Sequence, residues 1–466
     1  MKKLFLSSLF ALCAFLSNSQ DLSGDWYGML KVGGTSLRIN MNLIKNDTGY
    51  SGKLVSMDQG NSVIPMAWVK IDQAVLSFKT TVAGIEYTGA VKERNIDGTF
   101  KQNGRPLPLI FGREKVEKIV LKRPQEPKPP YSYLAEDVTF LNSRDSINLS
   151  GTLTMPSSGT GFPVVVLISG SGPQNRDEEL LGHKPFLVLA DHLTKNGIAV
   201  LRYDDRGVGR SKGNFGKATS ADFATDVNAA VQYLKTRKEI DVKKIGLIGH
   251  SEGGMIAPMV AAESKDIGFI VLLAGTGVPG KDIIILQQQL IAKAEGGASE
   301  KDLAETAAFT EEIAKIVTSG KDEKTVSTEF IDFLKSTWQK LPDSSKQVYG
   351  TEAVFLMQSA QMNTPWMRYF LSYDPASALQ KIRIPVLALN GSKDLQVWPA
   401  QNLPAIEKAL KKAGNKKYTV KELPGLNHLF QECTSGAPSE YEKIEMTMSP
   451  VVLDEVTNWI KKQARM

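Results

Sequence analysis

Two glycines flank Ser251 in a short stretch that joins an apolar run to a run of small residues. Residues 245–248 are Ile-Gly-Leu-Ile, and residues 249–253 are Gly-His-Ser-Glu-Gly. A small, apolar, helix-compatible run follows to residue 263. This pattern predicts a sharp strand-to-helix turn that strains the serine backbone and lifts its hydroxyl above the end of a sheet. Glycine is needed beside the serine because a Cβ there would collide with the neighbouring strand or helix.

The histidines of the chain narrow the choice of partners for this serine. There are four, and His428 alone follows Ser251, in a loop after a strand-like run. Where such a serine works with an acid and a histidine, the order along the chain is serine, acid, histidine. His428 is therefore the candidate base. The candidate acid is Asp394, which follows an apolar strand at 385–390, and Asp374 is the alternative.

The first residues have the composition of an export signal. Two lysines precede a mostly apolar run at 4–16, and small polar residues follow at 17–19. This order predicts a signal peptide, residues 1–19, and a bacterial protein exported to the periplasm, the cell surface or the medium. The apolar run is too short to span a bilayer, and no later segment is predicted to do so. Lipidation of Cys13 is the alternative, which the bulky Leu12 before it disfavours.

Charge and cysteine content argue against several classes of protein. The formal net charge of the 466 residues is +6, and the charges are scattered. This argues against a nucleic-acid partner. Cys433 is the one cysteine left after removal of the predicted signal, so no internal disulfide can form. The sequence has no metal-ligand spacing and no phosphate-binding Gly-Lys pattern, so we expect neither a metal nor a cofactor; the oligomeric state is unknown.

Apolar and polar residues alternate through residues 20–121, as they do in strands with one buried face. Turn residues interrupt the alternation at intervals of roughly 8–12 residues. We predict about eight strands in an all-β barrel or sandwich. The opening Gly-Asp-Trp-Tyr-Gly at 24–28 resembles the start of lipocalin-like barrels. Both a structural or oligomerising role and a ligand- or glycan-binding role remain open for this domain.

The pattern changes after a segment rich in proline. Residues 122–133 carry four prolines, which predicts a semi-rigid linker. From 134 to 466, continuous apolar strands alternate with helical stretches, which predicts an α/β domain with a doubly wound, mostly parallel sheet. Helical stretches alone fill the region at about 280–375, and we expect them to form a cap over the site.

Several stretches of residues 136–462 together resemble the α/β-hydrolase superfamily. They are 168–177, 202–211, 249–253, 365–366, 373–375 and 384–394. Within the superfamily the chain looks like bacterial serine esterases related to the dienelactone-hydrolase and serine-aminopeptidase-like groups. The resemblance implies that Ser251 is the nucleophile, that His428 takes its proton, and that Asp394 orients the imidazole.

The resemblance also implies two backbone donors for a developing oxyanion. One is the N–H of Glu252, the residue after the nucleophile. The other comes from the loop after the first parallel strand, where we nominate the N–H of Ser171, with Gly172 as the alternative. Superfamily members often have histidine where this chain has Ser169.

Three functions compete on the sequence alone. The first is an exported carboxylesterase acting on a small-molecule ester of a small acyl group. The second is a serine peptidase or aminopeptidase acting on short peptides, which would need a buried acidic site to anchor a free amine. The third is a non-catalytic binding protein, which the presence of all three triad residue types disfavours.

Overall fold

The computed structural model describes residues 21–32, 35–58, 62–102, 105–117, 122–296, 298–349 and 351–465. The predicted signal peptide and Cys13 lie outside the described residues. The chain forms two compact units, with the division between Lys118 and Ile119. No described helix combines the length and the apolar character needed to cross a membrane.

The first unit is a closed barrel of antiparallel strands, which confirms the predicted all-β barrel. Its strands are β1 (Gly24–Val32), β2 (Thr35–Asn46), β3 (Gly49–Ser56), β4 (Ser62–Asp72), β5 (Val75–Thr80), β6 (Ile85–Val91), β7 (Asn95–Gln102) and β8 (Arg105–Gly112). Each strand pairs with the next along the chain, and β8 returns to pair with β1. Closure removes the free edges that an open sheet would expose.

The closing strand β8 contains Pro106 and Pro108. Among the described residues, β8 meets β1 only at its end, where Gly112 and Phe111 face Tyr27 and Gly28. The two prolines are not among the residues paired with β1. Proline lacks a backbone donor and is tolerated where the strand donates no such hydrogen bond.

Aromatic and aliphatic side chains fill the barrel interior. Trp26, Phe78 and Tyr87 are fully or almost fully buried there. The Tyr87 hydroxyl donates to the carbonyl oxygen of Ile96 at 2.9 Å, and burial raises the pKa of this phenol well above its usual value. A Cβ on Gly98 would lie 2.5 Å from the Tyr87 ring. A ligand inside this barrel would therefore have to displace packed side chains.

The second unit is built on one mixed sheet of eight strands, which confirms the predicted α/β fold. The strands are β9 (Tyr133–Asn142), β10 (Ile147–Pro156), β11 (Phe162–Ile168), β12 (Ala199–Tyr203), β13 (Ile240–His250), β14 (Phe269–Leu273), β15 (Val386–Gly391) and β16 (Tyr418–Leu423). Their order is β16-β15-β14-β13-β11-β12-β10-β9. The six strands from β16 to β12 are parallel, and β10 and β9 form an antiparallel edge.

Helices cover both faces of this sheet, since its central strands are buried on both sides. One face packs against α2 (Ser220–Lys235), α3 (Gly253–Glu263), α10 (Ala376–Leu379) and α11 (Pro399–Lys412). The other face packs against α1 (Pro185–Lys195) and α13 (Pro450–Ala464). The short helix α12 (Pro438–Tyr441) follows the loop after β16.

The predicted cap is helical, as expected. It consists of α4 (Gly280–Glu295), α5 (Glu300–Val317), α6 (Glu323–Lys340), α7 (Asp343–Tyr349), α8 (Glu352–Ser359) and α9 (Pro365–Ser372). These helices lie between β14 and β15 and have a core of their own, in which Ile313, Phe330 and Leu334 are buried. The cap is therefore a packed layer and not a loose loop.

The proline-rich segment 122–133 belongs to the second unit. The Arg123 guanidinium donates to the carbonyl oxygens of Gly182, Leu181, Ile444 and Glu442. Gln125 accepts from the backbone N–H groups of Thr447 and Met448. The first part of the predicted linker thus lies against the rest of the second unit, a feature that its composition did not indicate.

Candidate active site

Ser251 occupies the sharp turn that the sequence predicts between β13 and α3. Its φ is +53°, a left-handed conformation that costs a non-glycine residue on the order of 1–3 kcal/mol. A Cβ on Gly249 would lie 1.9 Å from the carbonyl oxygen of Gly253. A Cβ on Gly253 would lie 2.1 Å from the carbonyl oxygen of Ile168. Only glycine fits at these two positions, and the strained serine is held between them.

The topology of the sheet places the site at the carboxyl ends of its parallel strands. Strand β12 lies on one side of β11, and β13 lies on the other. Ligands of doubly wound sheets bind where the strand order reverses in this way. Here the loop after β11 brings Ser171, and the turn after β13 brings Ser251. Asp394 follows β15 and His428 follows β16, so both return to the same end.

Asp394 and His428 form a buried hydrogen-bonded pair. Nδ1 of His428 lies 2.8 Å from Oδ2 of Asp394, which is fully buried. The other carboxylate oxygen accepts from the backbone N–H groups of Gln396 and Val397 at 2.8 and 2.9 Å. These bonds fix the carboxylate, which in turn orients the imidazole. With Nδ1 as donor to Asp394, Nε2 of the neutral ring is free to accept a proton.

His428 also lies close to the turn that carries Ser251. The carbonyl oxygen of His428 accepts from Nε2 of His250, the residue before Ser251, at 3.0 Å. The centres of the two imidazole rings are 4.8 Å apart. Ser251 Oγ and His428 Nε2 are not hydrogen-bonded to each other here. Catalytic hydrogen bonds are often long without substrate and tighten when it binds.

The alternative acid, Asp374, lies elsewhere. It is exposed, and its Oδ1 accepts from the backbone N–H of Ala376 at 2.9 Å. It therefore closes a turn at the start of α10, as the proline after it suggests. The geometry places Asp394, and not Asp374, beside His428.

A small cavity lies directly over Ser251. Its volume is about 50 Å³, and Ser171 and Glu252 border it together with the serine. Among the described residues, the backbone N–H groups of Ser171 and Glu252 have no protein acceptor. The cavity is thus bordered by a serine hydroxyl and by the two residues nominated for an oxyanion site. The alternative donor, Gly172, is not among the residues that border it.

The side chain of Glu252 joins the cap to the nucleophile turn. It is 2% exposed, and its Oε1 accepts from Ser220 Oγ at 2.6 Å and from Trp366 Nε1 at 2.8 Å. Trp366 belongs to the cap helix α9. Burial raises the pKa of the Glu252 carboxyl, and the two hydrogen bonds offset this only in part. The sequence drew attention to the backbone of Glu252 and not to its carboxyl group.

Glu178 and His250 form a second buried pair, which the sequence did not suggest. Oε1 of Glu178 lies 2.9 Å from Nδ1 of His250 and accepts from the N–H of Gly170 at 2.7 Å. Burial disfavours the charged imidazole, but the Glu178 carboxylate outweighs it, so the pKa of His250 is raised. Because His250 also donates to the carbonyl oxygen of His428, this pair connects the loop after β11, the turn at Ser251 and the loop that carries His428.

The buried Asp205 is hydrogen-bonded to the loop after β11, residues 169–177. Asp205 accepts from Ser169 Oγ at 2.8 Å and from the N–H of Gln174 at 2.9 Å. Burial is the main reason that the pKa of Asp205 is raised to about 8. Arg176 anchors the same loop through a bidentate pair with Asp204 at 3.0 and 2.8 Å. Ser169 therefore has a defined structural partner, Asp205.

The remaining histidines have structural surroundings. His183 is fully buried between Thr447 and the carbonyl oxygen of Tyr441, and burial lowers its pKa to about 4. His192 lies on α1, 3.3 Å from a carboxylate oxygen of Asp454. Within the described ranges, no group of three or more His, Cys, Asp and Glu side chains could hold a metal ion.

Comparisons with known proteins agree with this fold. The family model of serine aminopeptidase, S33, matches residues 184–326, which include Ser251. The chain is 28% identical over 334 residues to Esterase EstD of Thermotoga maritima, a match that covers 72% of this chain and 69% of that protein. An uncharacterized 31.7 kDa protein of Escherichia coli is 22% identical over 315 residues, covering 67% of this chain and 94% of its own length.

One solved structure to which the chain is similar is the alpha/beta hydrolase GrgF from Penicillium sp. sh18. It is 17% identical, covers 72% of this chain and all of its own, and superposes with a TM-score of 0.44. The strand order of the sheet, the strained serine at its centre and the matching sequence families lead to the same assignment. The second unit has the fold of the α/β hydrolases, residues 184–326 are similar to the serine aminopeptidase family, and a closed eight-stranded barrel precedes this unit in the chain.

Proposed function

We propose that this protein is a serine esterase that cleaves carboxylic esters of small acyl groups through an acyl-enzyme intermediate. One observation carries the proposal. Ser251 lies on a cavity that is also bordered by Ser171 and Glu252, whose backbone N–H groups have no acceptor among the described residues. An ester carbonyl placed there would have a nucleophile and two oxyanion donors around it. The similarity to an esterase of Thermotoga maritima supports the same reaction class.

In the first half of the proposed reaction, His428 Nε2 takes the proton of Ser251 Oγ as the oxygen attacks the ester carbon. The carbonyl electron pair moves to oxygen, and the Ser171 and Glu252 N–H groups stabilise this charge. The tetrahedral intermediate then collapses, the bond to the alcohol oxygen breaks, and His428 returns the proton to that oxygen. Asp394 stabilises the imidazolium that forms between the two proton transfers.

In the second half, water replaces the alcohol. His428 takes a proton from the water as its oxygen attacks the acyl carbon. The same two N–H groups receive the developing charge. When the second tetrahedral intermediate collapses, the proton returns to Ser251 Oγ and the carboxylic acid is released. Every proton thus passes through His428, which explains why its Nε2 must be free.

The size of the cavity supports a small acyl group. Pockets for drug-sized ligands are usually about 300–1,000 Å³, whereas this cavity is about 50 Å³. Ile283, Phe370 and Val397 narrow it with apolar surface. A long acyl chain would require these side chains, two of which come from the cap, to move apart.

The buried carboxyl of Glu252 supports a second candidate, a peptidase that anchors a free amine. The family model that matches residues 184–326 describes serine aminopeptidases. Both candidates use the same triad and differ in the leaving group. They are separated by comparing p-nitrophenyl acetate with alanine p-nitroanilide as substrates of the purified protein.

The test of the nucleophile uses the same assay. We expect the protein to cleave p-nitrophenyl acetate, and Ser251→Ala to remove this activity because the proposed nucleophile is lost. The exposed Ser158 provides a matched control, and Ser158→Ala should keep full activity. A fluorophosphonate probe should label the wild-type protein and Ser158→Ala but not Ser251→Ala. Ester cleavage and labelling that persist in Ser251→Ala would refute the assignment.

Export remains part of the proposal on sequence grounds alone. Residues 1–19 have the order of a signal peptide, with a basic start, an apolar run and a small-residue end. We expect the protein purified from a bacterial envelope or medium fraction to begin near Gln20. Intact-mass measurement of that fraction tests this, and a cytoplasmic protein that retains Met1 would contradict it.

A further inference from the structure

We propose that the cavity over Ser251 selects short acyl groups that carry a hydrogen-bond donor, a hydroxyl or an ammonium group, next to the scissile carbonyl. This inference rests on the proposed esterase function and adds the class of acyl group to it. Three observations support it. The cavity lies on the acyl side of the scissile bond, Thr276 has an unpaired hydroxyl, and the buried carboxyl of Glu252 accepts hydrogen bonds through one of its two oxygens.

The cavity lies on the acyl side of the scissile bond. The alcohol oxygen of an ester receives its proton from His428 Nε2, so the alcohol must leave beside that nitrogen. The oxyanion donors and the nucleophile instead surround the acyl carbon. Ser251, Ser171 and Glu252 border the cavity, and His428 is not among the residues that do. What fills the cavity is therefore the acyl group.

Thr276 borders this cavity, and its buried hydroxyl is unpaired among the described residues. It lies three residues after the end of β14 and is 3% exposed. Its Oγ1 has no hydrogen-bond partner among the described residues. Buried polar side chains nearly always have a partner, and those without one are expected to have a functional explanation. A substrate group that reaches this hydroxyl would supply the missing bond.

Glu252 adds an acceptor on the same cavity. Both of its hydrogen bonds, from Ser220 and Trp366, go to Oε1. Neither of these two bonds reaches its Oε2. A hydroxyl or ammonium group on the acyl chain can donate to Thr276 Oγ1 and to Glu252 Oε2, whereas a plain alkyl group leaves both unpaired. The cavity is therefore equipped for a donor.

The rest of the lining sets the length of the acyl group. Ile283, Ile284, Phe370 and Val397 are apolar and offer no hydrogen bond through their side chains, and the side chains of Gln287 and Gln396 are hydrogen-bonded to each other. Thr276 and Glu252 therefore act on a substituent close to the carbonyl, and the small volume excludes a long chain beyond it. Glycolyl and glycyl esters are the simplest members of this class, and the acetyl ester is the matched substrate without a donor.

The experiment compares kcat/KM for methyl glycolate, methyl glycinate and methyl acetate, measured by acid release at pH 6.5. This pH is below the ordinary α-amino pKa of about 7.7–8.0, so the glycinate ester carries an ammonium group. For each protein, kcat/KM of the glycolate or glycinate ester is divided by kcat/KM of methyl acetate. Because the intrinsic reactivity of an ester is the same for every variant, a change in this ratio between wild type and variant reports on the protein. Thr276→Val removes the hydroxyl with little change of shape, Thr276→Ser keeps it, and Glu252→Gln removes the carboxylate.

We expect Thr276→Val to lower the glycolate-to-acetate ratio about tenfold, the value of one hydrogen bond, and Thr276→Ser to preserve it. If the natural donor is an ammonium group, Glu252→Gln should lower the glycinate-to-acetate ratio by more than Thr276→Val does. If the variants lower the glycolate-to-acetate ratio more than the glycinate-to-acetate ratio, the natural donor is a hydroxyl group. Either result supports the inference.

The outcomes separate this inference from the proposed function. Ester cleavage that requires Ser251, with ratios unchanged in Thr276→Val and Glu252→Gln, would overturn the inference and leave the esterase standing. Ester cleavage that survives in Ser251→Ala, or a wild-type protein that cleaves none of the three esters, would overturn both.

Discussion

At the scale of single residues, Asp394 and Asp374 show how surroundings decide which of two aspartates acts on a histidine. Asp394 is fully buried and bonded to His428, whereas Asp374 is exposed and closes a turn. We expect Asp394→Asn to lower kcat about 10⁴-fold, because an amide supports the wrong imidazole tautomer. Asp374→Asn should change kcat little. Steady-state kinetics on p-nitrophenyl acetate measure both effects, and circular dichroism verifies that the variants are folded. A larger loss of kcat in Asp374→Asn would reverse the assignment of the acid.

Asp205 should make the stability of the hydrolase domain depend on pH. Burial raises the pKa of its carboxyl to about 8, above the value of about 3.9 in an unfolded chain. The folded state therefore holds a proton that the unfolded state releases, so this group reduces the free energy of unfolding as pH rises from about 4 to about 8. Asp205→Asn stays neutral and removes this contribution.

Thermal unfolding at pH 5 and pH 8 measures the effect. The decrease in Tm between these pH values should be smaller in Asp205→Asn than in wild type. Asp266→Asn is the matched control, since Asp266 lies near the surface and its pKa is lowered by hydrogen bonds from Lys235 and Gln232. An equal decrease in wild type and Asp205→Asn would show that Asp205 is ionised in the folded protein throughout this range.

The sequence nominated Ser251, Asp394 and His428 but not the buried residues that contact them. The order serine, acid, histidine is a property of the fold, so one motif and a count of histidines were enough to nominate Ser251 and His428. Glu178 is 72 residues from His250, and Trp366 is 114 residues from Glu252. No periodicity or local spacing connects residues so far apart, because such pairs exist only after the loops have packed on the sheet.

At the scale of elements, the strands of the sheet were predictable because buried parallel strands are continuous apolar runs. The barrel strands followed from alternation, except β8, where Pro106 and Pro108 interrupt the pattern. Prolines usually mark the end of a strand. The pairing in the barrel shows that β8 nevertheless continues through both of them. The contacts of Arg123 could not be predicted from the sequence either, since they are made to carbonyl groups about 320 residues further along the chain.

The contact between α3 and β11 depends on Gly253. A Cβ at this position would lie 2.1 Å from the carbonyl oxygen of Ile168, so Gly253→Ala must push the helix away from the strand. We expect a loss of about 3 kcal/mol in the free energy of unfolding. Activity should fall as well, because the shift moves the Glu252 N–H. Urea unfolding and ester kinetics measure both effects.

Gly216 is the matched control for this substitution. It has no positive φ, and a Cβ there would meet only Asn214 Oδ1 at 3.6 Å. Gly216→Ala should therefore leave stability and activity close to wild type. Equal behaviour of the two alanine variants would mean that the α3–β11 packing adjusts without cost, and the explanation of the second glycine in the motif would be wrong.

At the scale of the whole molecule, each unit has a hydrophobic core of its own. The barrel buries Trp26, Phe78 and Phe111, and the sheet of the second unit buries a separate set around Val164 and Leu247. Units with separate cores can unfold independently. The chain that connects them is therefore the segment most open to a protease.

The position of the cut follows from the contacts of the connecting segment. Arg123 donates to four carbonyl oxygens and Gln125 accepts from two backbone N–H groups of the second unit, so we expect this part to resist cleavage. Limited digestion with a non-specific protease should cut between Gly112 and Arg123 and leave two stable fragments, with ends identified by mass spectrometry. The larger fragment should keep its esterase activity, because Ser251 and His428 lie within it. Cleavage first inside 124–133, or simultaneous loss of both fragments, would contradict this division, since a docked segment protects its own backbone and independent cores do not unfold together.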